Sequence, residues 1–157
     1  MSNARKDIKT SSNFIRYAYL MTVFFLALTG FAQMPIFKRY YIADIPGLGW
    51  LAQFFVTHYM HYLAAILFIA FFAYFIIDYL ITNRLRRKIS VSGYVRGFIL
   101  FGILASGIFL VVRNLAGYKF SAGSIVFFDL MHLSLVMLFL LAAFYSLVAK
   151  KQWTISR

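Results

Sequence analysis

The chain has 157 residues, of which 63% are hydrophobic and 20% aromatic, and its formal net charge is +12. Soluble domains are only about 45–50% apolar, so a water-soluble globular fold is excluded. The basic excess is therefore read as membrane topology and contact with anionic headgroups rather than as nucleic-acid binding. There is no cysteine, which rules out disulfides, thiolate zinc sites and thiolate-held iron–sulfur clusters within the chain; there is no glutamate, and the four acids are Asp7, Asp44, Asp78 and Asp129.

The polar start, MSNARKDIKTSSN, has no apolar core followed by a small-residue cleavage site, so no removable signal peptide is expected. A bilayer core requires roughly 20 apolar residues per helix. Four segments meet that requirement, at about 14–33, 51–80, 95–112 and 124–149. They predict an all-α, integral membrane four-helix bundle made of a single domain. Between them lie MPIFKRYYIADIPGLGW, TNRLRRKISVSGY and RNLAGYKFSAG, whose Pro, Gly and Ser content marks loops. No internal repeat or low-complexity tract is visible.

The basic residues orient the spans. Arg5, Lys6, Lys9, Arg16, Arg84, Arg86, Arg87, Lys88, Arg96, Lys150, Lys151 and Arg157 fall on one side, against Lys38, Arg39, Arg113 and Lys119 on the other. The positive-inside bias then predicts that both termini are cytoplasmic and the long first loop external. Tyr40, Tyr41 and Trp50 fit an outer aromatic belt, and the four cations of the outer loops fit interface anchors.

The second and fourth segments contain the only three histidines, His58, His61 and His132. His58 and His61, three residues apart, share a broad helix face at different depths, so they cannot approach one iron from opposite sides. Counted inward from the outer end, His61 lies about 10 residues into the second segment and His132 about 8 into the fourth, each roughly 12–15 Å deep. Two imidazoles at matched depth on two helices is the arrangement that clamps a haem iron axially. The alternative is that they bond across helices or sit near headgroups. Zinc is disfavoured because no carboxylate or open polar cavity is evident beside them. Asp129, three residues before His132, shares its helix face; it is a candidate to orient that imidazole, to accept a proton from a quinol, or simply to reach headgroup water. Asp78, close to NRLRRK, suggests an interfacial ion pair. Gly97, Gly102, Ser106 and Gly107 in the third segment would let a helix or a porphyrin approach closely.

Three stretches carry a resemblance. LALTGFAQMP closes the first segment, HYLAAILF lies in the second, and MHLSLVMLFLLAAFYS in the fourth. Together they resemble the membrane cytochrome b subunits of respiratory formate dehydrogenases and nickel–iron hydrogenases: a Thr-Gly exit from the first span, a ligand histidine followed by small residues and an aromatic, and a histidine ahead of a long apolar stretch. That family ligates two haems, the inner one through a histidine of the first helix and a later histidine of the fourth. Here RYAYLMT stands in the first segment, and Tyr145 and Ser146 stand near the later position. The resemblance therefore implies one b haem, nearer the external face, with His61 and His132 as its ligands. It leaves His58 either as a neighbour of a propionate or as the ligand in place of His61.

The function so implied is electron transfer between a membrane quinone (menaquinone or ubiquinone) and a periplasmic-side redox subunit, an iron–sulfur or multihaem protein, in the bacterial cytoplasmic membrane. Substrate chemistry would lie in the partner, since the chain carries no nucleotide loop or nucleophile–base pair. The alternative is a haem-free membrane anchor or a quinone-interacting structural subunit of a larger respiratory complex.

Overall fold

The computed structural model describes the backbone of residues 2–34, 39–83 and 85–156, and the side chains of 14–34, 39–82 and 85–155. Lys38, Arg84 and Arg157, and the side chains of Arg5, Lys6, Asp7 and Lys9, lie outside the described residues.

Four helices dominate. Helix α1 is Ser2–Ala32, α2 is Phe54–Asp78, α3 is Val91–Arg113 and α4 is Ala122–Val148. Each contains a stretch long and apolar enough to cross a membrane: Phe14–Ala32, Phe54–Thr82, Val91–Arg113 and Ala122–Val148. At 1.5 Å per residue, even the 19-residue first stretch spans about 28 Å, close to the hydrocarbon thickness. The fold is all-α and transmembrane, as the hydropathy pattern predicts.

The boundaries differ from the sequence expectation for identifiable reasons. Helix α3 begins four residues early because Ser90 caps it, its hydroxyl accepting from the Gly93 N–H at 2.9 Å. Ser121 does the same for α4 through the Ser124 N–H at 3.2 Å. Helix α2 begins three residues late, because Gly49–Ala52 forms a 3₁₀ turn against it. A second 3₁₀ turn, Ile42–Asp44, precedes that one, and between them Gly47 turns the chain at φ 88°, a conformation that favours glycine. At its far end α2 continues into a π-helical segment, Tyr79–Asn83.

The chain divides into two compact units, Met1–Ile81 and Thr82–Arg157. Each is built on an antiparallel helical hairpin. In the first, Tyr19 of α1 meets Phe68, Phe71 and Phe75 of α2, with ring centroids 6.0, 6.3 and 5.5 Å away. Ten residues further along α1, Thr29 meets His61, about ten residues earlier in α2. Trp50 folds back to stack on Phe25 of α1 at 6.5 Å. In the second unit, Ser92 of α3 meets Ser146 of α4 at 3.2 Å. Further along, Gly102 faces Leu135, and Phe109 stacks on Phe128 at 4.5 Å.

The buried positions are mostly small or hydroxylated: Thr22, Thr29, Ala32, Thr57, Ala64, Ser106 and Ser146. Large apolar side chains such as Phe55, Ile81, Phe98, Phe144 and Leu147 point outward. That inversion is unfavourable in water and natural in lipid, where bulky groups are solvated by acyl chains and small residues let helices approach.

One feature has no counterpart in the sequence expectation. Strand β1, Arg87–Ile89, pairs antiparallel with β2, Thr154–Ser156, in the register Arg87↔Ser156, Lys88↔Ile155 and Ile89↔Thr154. The pairing joins the approach to α3 with the exit from α4. Ser90 extends it, its N–H donating to the Trp153 carbonyl and its hydroxyl to the Gln152 carbonyl. Gly93 lies directly beneath the Trp153 carbonyl, where a Cβ would collide with that oxygen.

Candidate functional site

His61 is carried on α2 and His132 on α4, and the two hairpins treat them alike. In the first, Thr29 is fully buried and its Oγ1 lies 2.6 Å from the Phe25 carbonyl and 3.0 Å from His61 Nδ1. In the second, Ser106 is fully buried and its Oγ lies 2.8 Å from the Gly102 carbonyl and 2.9 Å from His132 Nδ1. A carbonyl only accepts, so in both cases the single hydroxyl proton is directed back along the residue's own helix. The hydroxyl oxygen must then accept from the imidazole, which makes Nδ1 the protonated nitrogen and leaves the lone pair on Nε2.

A glycine follows each hydroxyl residue and makes room for the ring. A Cβ added at Gly30 would lie 3.3 Å from His61 Cε1, and one at Gly107 would lie 3.4 Å from His132 Cε1. Both imidazoles thus lie against the backbone of the opposing helix. The unit is a hydroxyl–glycine dipeptide on the first helix of a hairpin and one histidine on the second, and it occurs twice.

His58 is arranged differently. Its Nδ1 lies 2.9 Å from Gln33 Oε1. The Gln33 amide nitrogen donates to the Thr29 carbonyl at 3.4 Å, which fixes which amide atom faces the ring. Nδ1 of His58 is therefore a donor too. Its ring lies between Phe54, stacked at 5.4 Å, and Tyr62 at 4.4 Å.

Asp129, weighed from sequence as the group that orients His132, is engaged elsewhere. Both its oxygens receive the same guanidinium nitrogen of Arg113, at 3.0 and 2.9 Å. Ser106 is the residue that holds the His132 ring. The helix starts also alter the depths. His61 is seven residues past Phe54, and His132 ten past Ala122. Measured along their own helices, the two differ by about 4.5 Å rather than matching closely.

No family model, curated protein or solved structure matches this chain. Neutral imidazoles with Nδ1 bonded to a hydroxyl and a lone pair on Nε2 are in the form a transition metal or haem iron accepts. Among the described residues no three His, Cys, Asp or Glu side chains gather into a metal-binding group.

Thr29, Ser106 and Gln33 are the partners that sequence reasoning did not assign to the histidines. The available signal was the pair of dipeptides Thr29-Gly30 and Ser106-Gly107, each within a span that is followed by a histidine-bearing one.

Proposed function

We propose that the chain is the b-type cytochrome subunit of an oxidoreductase in the bacterial cytoplasmic membrane. In this reading His61 and His132 would hold a single b haem nearer the external face. The chain passes electrons between the quinone pool, menaquinone or ubiquinone, and a periplasmic-side redox subunit.

The observation that carries this reading is the equivalence of the two imidazoles. Each has Nδ1 within 3.0 Å of the same kind of buried hydroxyl and its ring against the same kind of glycine. A haem would take one nitrogen from each side, which one hydroxyl-held imidazole on each hairpin would supply; among the described residues no three-ligand cluster of the kind zinc needs is present. When bound, the haem supplies one-electron chemistry. The chain's own residues supply the rest: Thr29 and Ser106 hold the Nδ1 protons and fix the ring planes, and Gly30 and Gly107 admit the rings to the helix surface. The 12-to-4 distribution of Lys and Arg supports cytoplasmic termini and an external first loop.

A reduced-minus-oxidised absorption spectrum of the purified protein tests the reading. A sharp α-band of the b type is expected, lost in both His61→Ala and His132→Ala and kept in His58→Ala. Loss in His58→Ala with retention in His61→Ala would move the ligand to His58. A colourless wild-type protein would leave the hydroxyl–imidazole pairs as interhelical packing bonds, in a haem-free anchor or structural subunit.

A further inference from the structure

The second unit holds a cavity of about 510 Å³ at the end of the α3–α4 hairpin where the two strands pair. Two cations line it, Arg96 and Lys151, together with the hydroxyl residues Ser90, Ser92, Tyr145 and Ser146; the lining includes no carboxylate. Arg96 is only 6% exposed. Its Nε donates to the Ser92 carbonyl at 3.1 Å, and its guanidinium carbon lies 4.1 Å over the Trp153 ring. The guanidinium is thus fixed in place, and it is always charged, whatever the pH. Val91, Val95, Ala142 and Ile155 complete the wall with apolar surface.

We infer that this cavity binds the phosphodiester headgroup of an anionic phospholipid. The argument is charge complementarity joined to position. The charge of a buried guanidinium and an exposed lysine, with no carboxylate in the lining, complements a phosphate oxyanion. They sit at the end of two membrane-crossing helices, where a lipid headgroup lies and its glycerol and upper acyl chain can follow the apolar wall. Basic pockets between helices on the positively charged side of a membrane protein hold such headgroups. A buried, fixed guanidinium distinguishes this site from the exposed Arg86, Arg87 and Lys88 nearby. The inference is independent of haem binding.

Native mass spectrometry of the intact protein, released from nanodiscs of mixed phosphatidylglycerol and phosphatidylcholine, tests it. The wild type is expected to retain one phosphatidylglycerol in clear preference to phosphatidylcholine. Lys151→Gln and Arg96→Gln should each lower that preference roughly fivefold, the effect of one cation near a headgroup. Lys119→Gln, in the loop between α3 and α4, should leave it unchanged. Lys151 is exposed and its replacement is not expected to perturb folding, so it carries the test if Arg96→Gln does not fold. No lipid preference in the wild type overturns the inference, as does a Lys151→Gln protein that retains phosphatidylglycerol fully. Displacement of phosphatidylglycerol by millimolar inorganic phosphate would show a free-phosphate site and overturn the lipid assignment.

Discussion

The hydroxyl of Ser106 stands 2.9 Å from Nδ1 of His132 while its own proton is directed to the Gly102 carbonyl, so the proton between serine and histidine belongs to the ring. Thr29 stands in the same relation to His61. Removing either hydroxyl frees the ring to rotate and to change tautomer. Ser106→Ala and Thr29→Val should each weaken haem retention about 10- to 100-fold, the usual effect of losing a partner behind a metal ligand. Haem titration of the apoprotein and the midpoint potential measure this. Affinity and potential both at wild-type values in the two variants would reduce these bonds to helix packing worth about 0.6 kcal/mol each.

Gly30 and Gly107 test the same arrangement sterically. Alanine at Gly107 brings a methyl to ordinary contact with the His132 ring, and at Gly30 it requires a few tenths of an ångström of adjustment. Both alanine variants should retain the b-type spectrum. Gly30→Leu and Gly107→Leu force the rings away from the opposing helix and should abolish it. Full retention in both leucine variants would show that the rings do not need that surface.

Gly93 presents a tighter constraint, because the obstacle is backbone rather than a movable side chain. Gly93→Ala sets a Cβ against the Trp153 carbonyl and should detach β2 from β1. Amide hydrogen exchange at residues 87–89 and 154–156 should quicken while exchange in α3 and α4 stays slow. Undiminished protection of the strands would mean that the tail shifts to absorb the methyl.

The ion pair of Arg113 with Asp129 should prove modest. Its side chains are 26% and 49% exposed, and pairs of this kind contribute about 0–1 kcal/mol. Arg113→Gln and Asp129→Asn should lower thermal stability slightly and leave the haem spectrum in place, since Ser106 rather than Asp129 holds His132. A lost α-band in Asp129→Asn would return the carboxylate to the orienting role.

If the chain holds one haem near one face, as proposed, it would provide no relay across the membrane. Turnover reconstituted in proteoliposomes with the partner subunit and a quinol should therefore build little or no membrane potential, measured with a voltage-sensitive dye. One full charge moved per electron would require a second redox centre.

The four spans were legible because hydropathy over some 20 residues is a sum that few local accidents can disturb. Helix ends were less so: Ser90 and Ser121 extended α3 and α4 through single capping bonds. The three-residue strands escaped notice because Arg87–Ile89 and Thr154–Ser156 are too short and polar to show alternation. The histidines stood out because imidazole is costly in an apolar run. Their partners did not, since Thr29 lies 32 residues before His61 and Ser106 lies 26 before His132. A hydroxyl that bonds its own helix looks like any other serine or threonine until the neighbouring helix is known. The unequal spacing also hid the recurrence of the unit.

Each hairpin crosses the membrane twice and so ends on the side where it began. A segment with that property can be copied in tandem without inverting either copy, and each copy arrives with its own imidazole already braced.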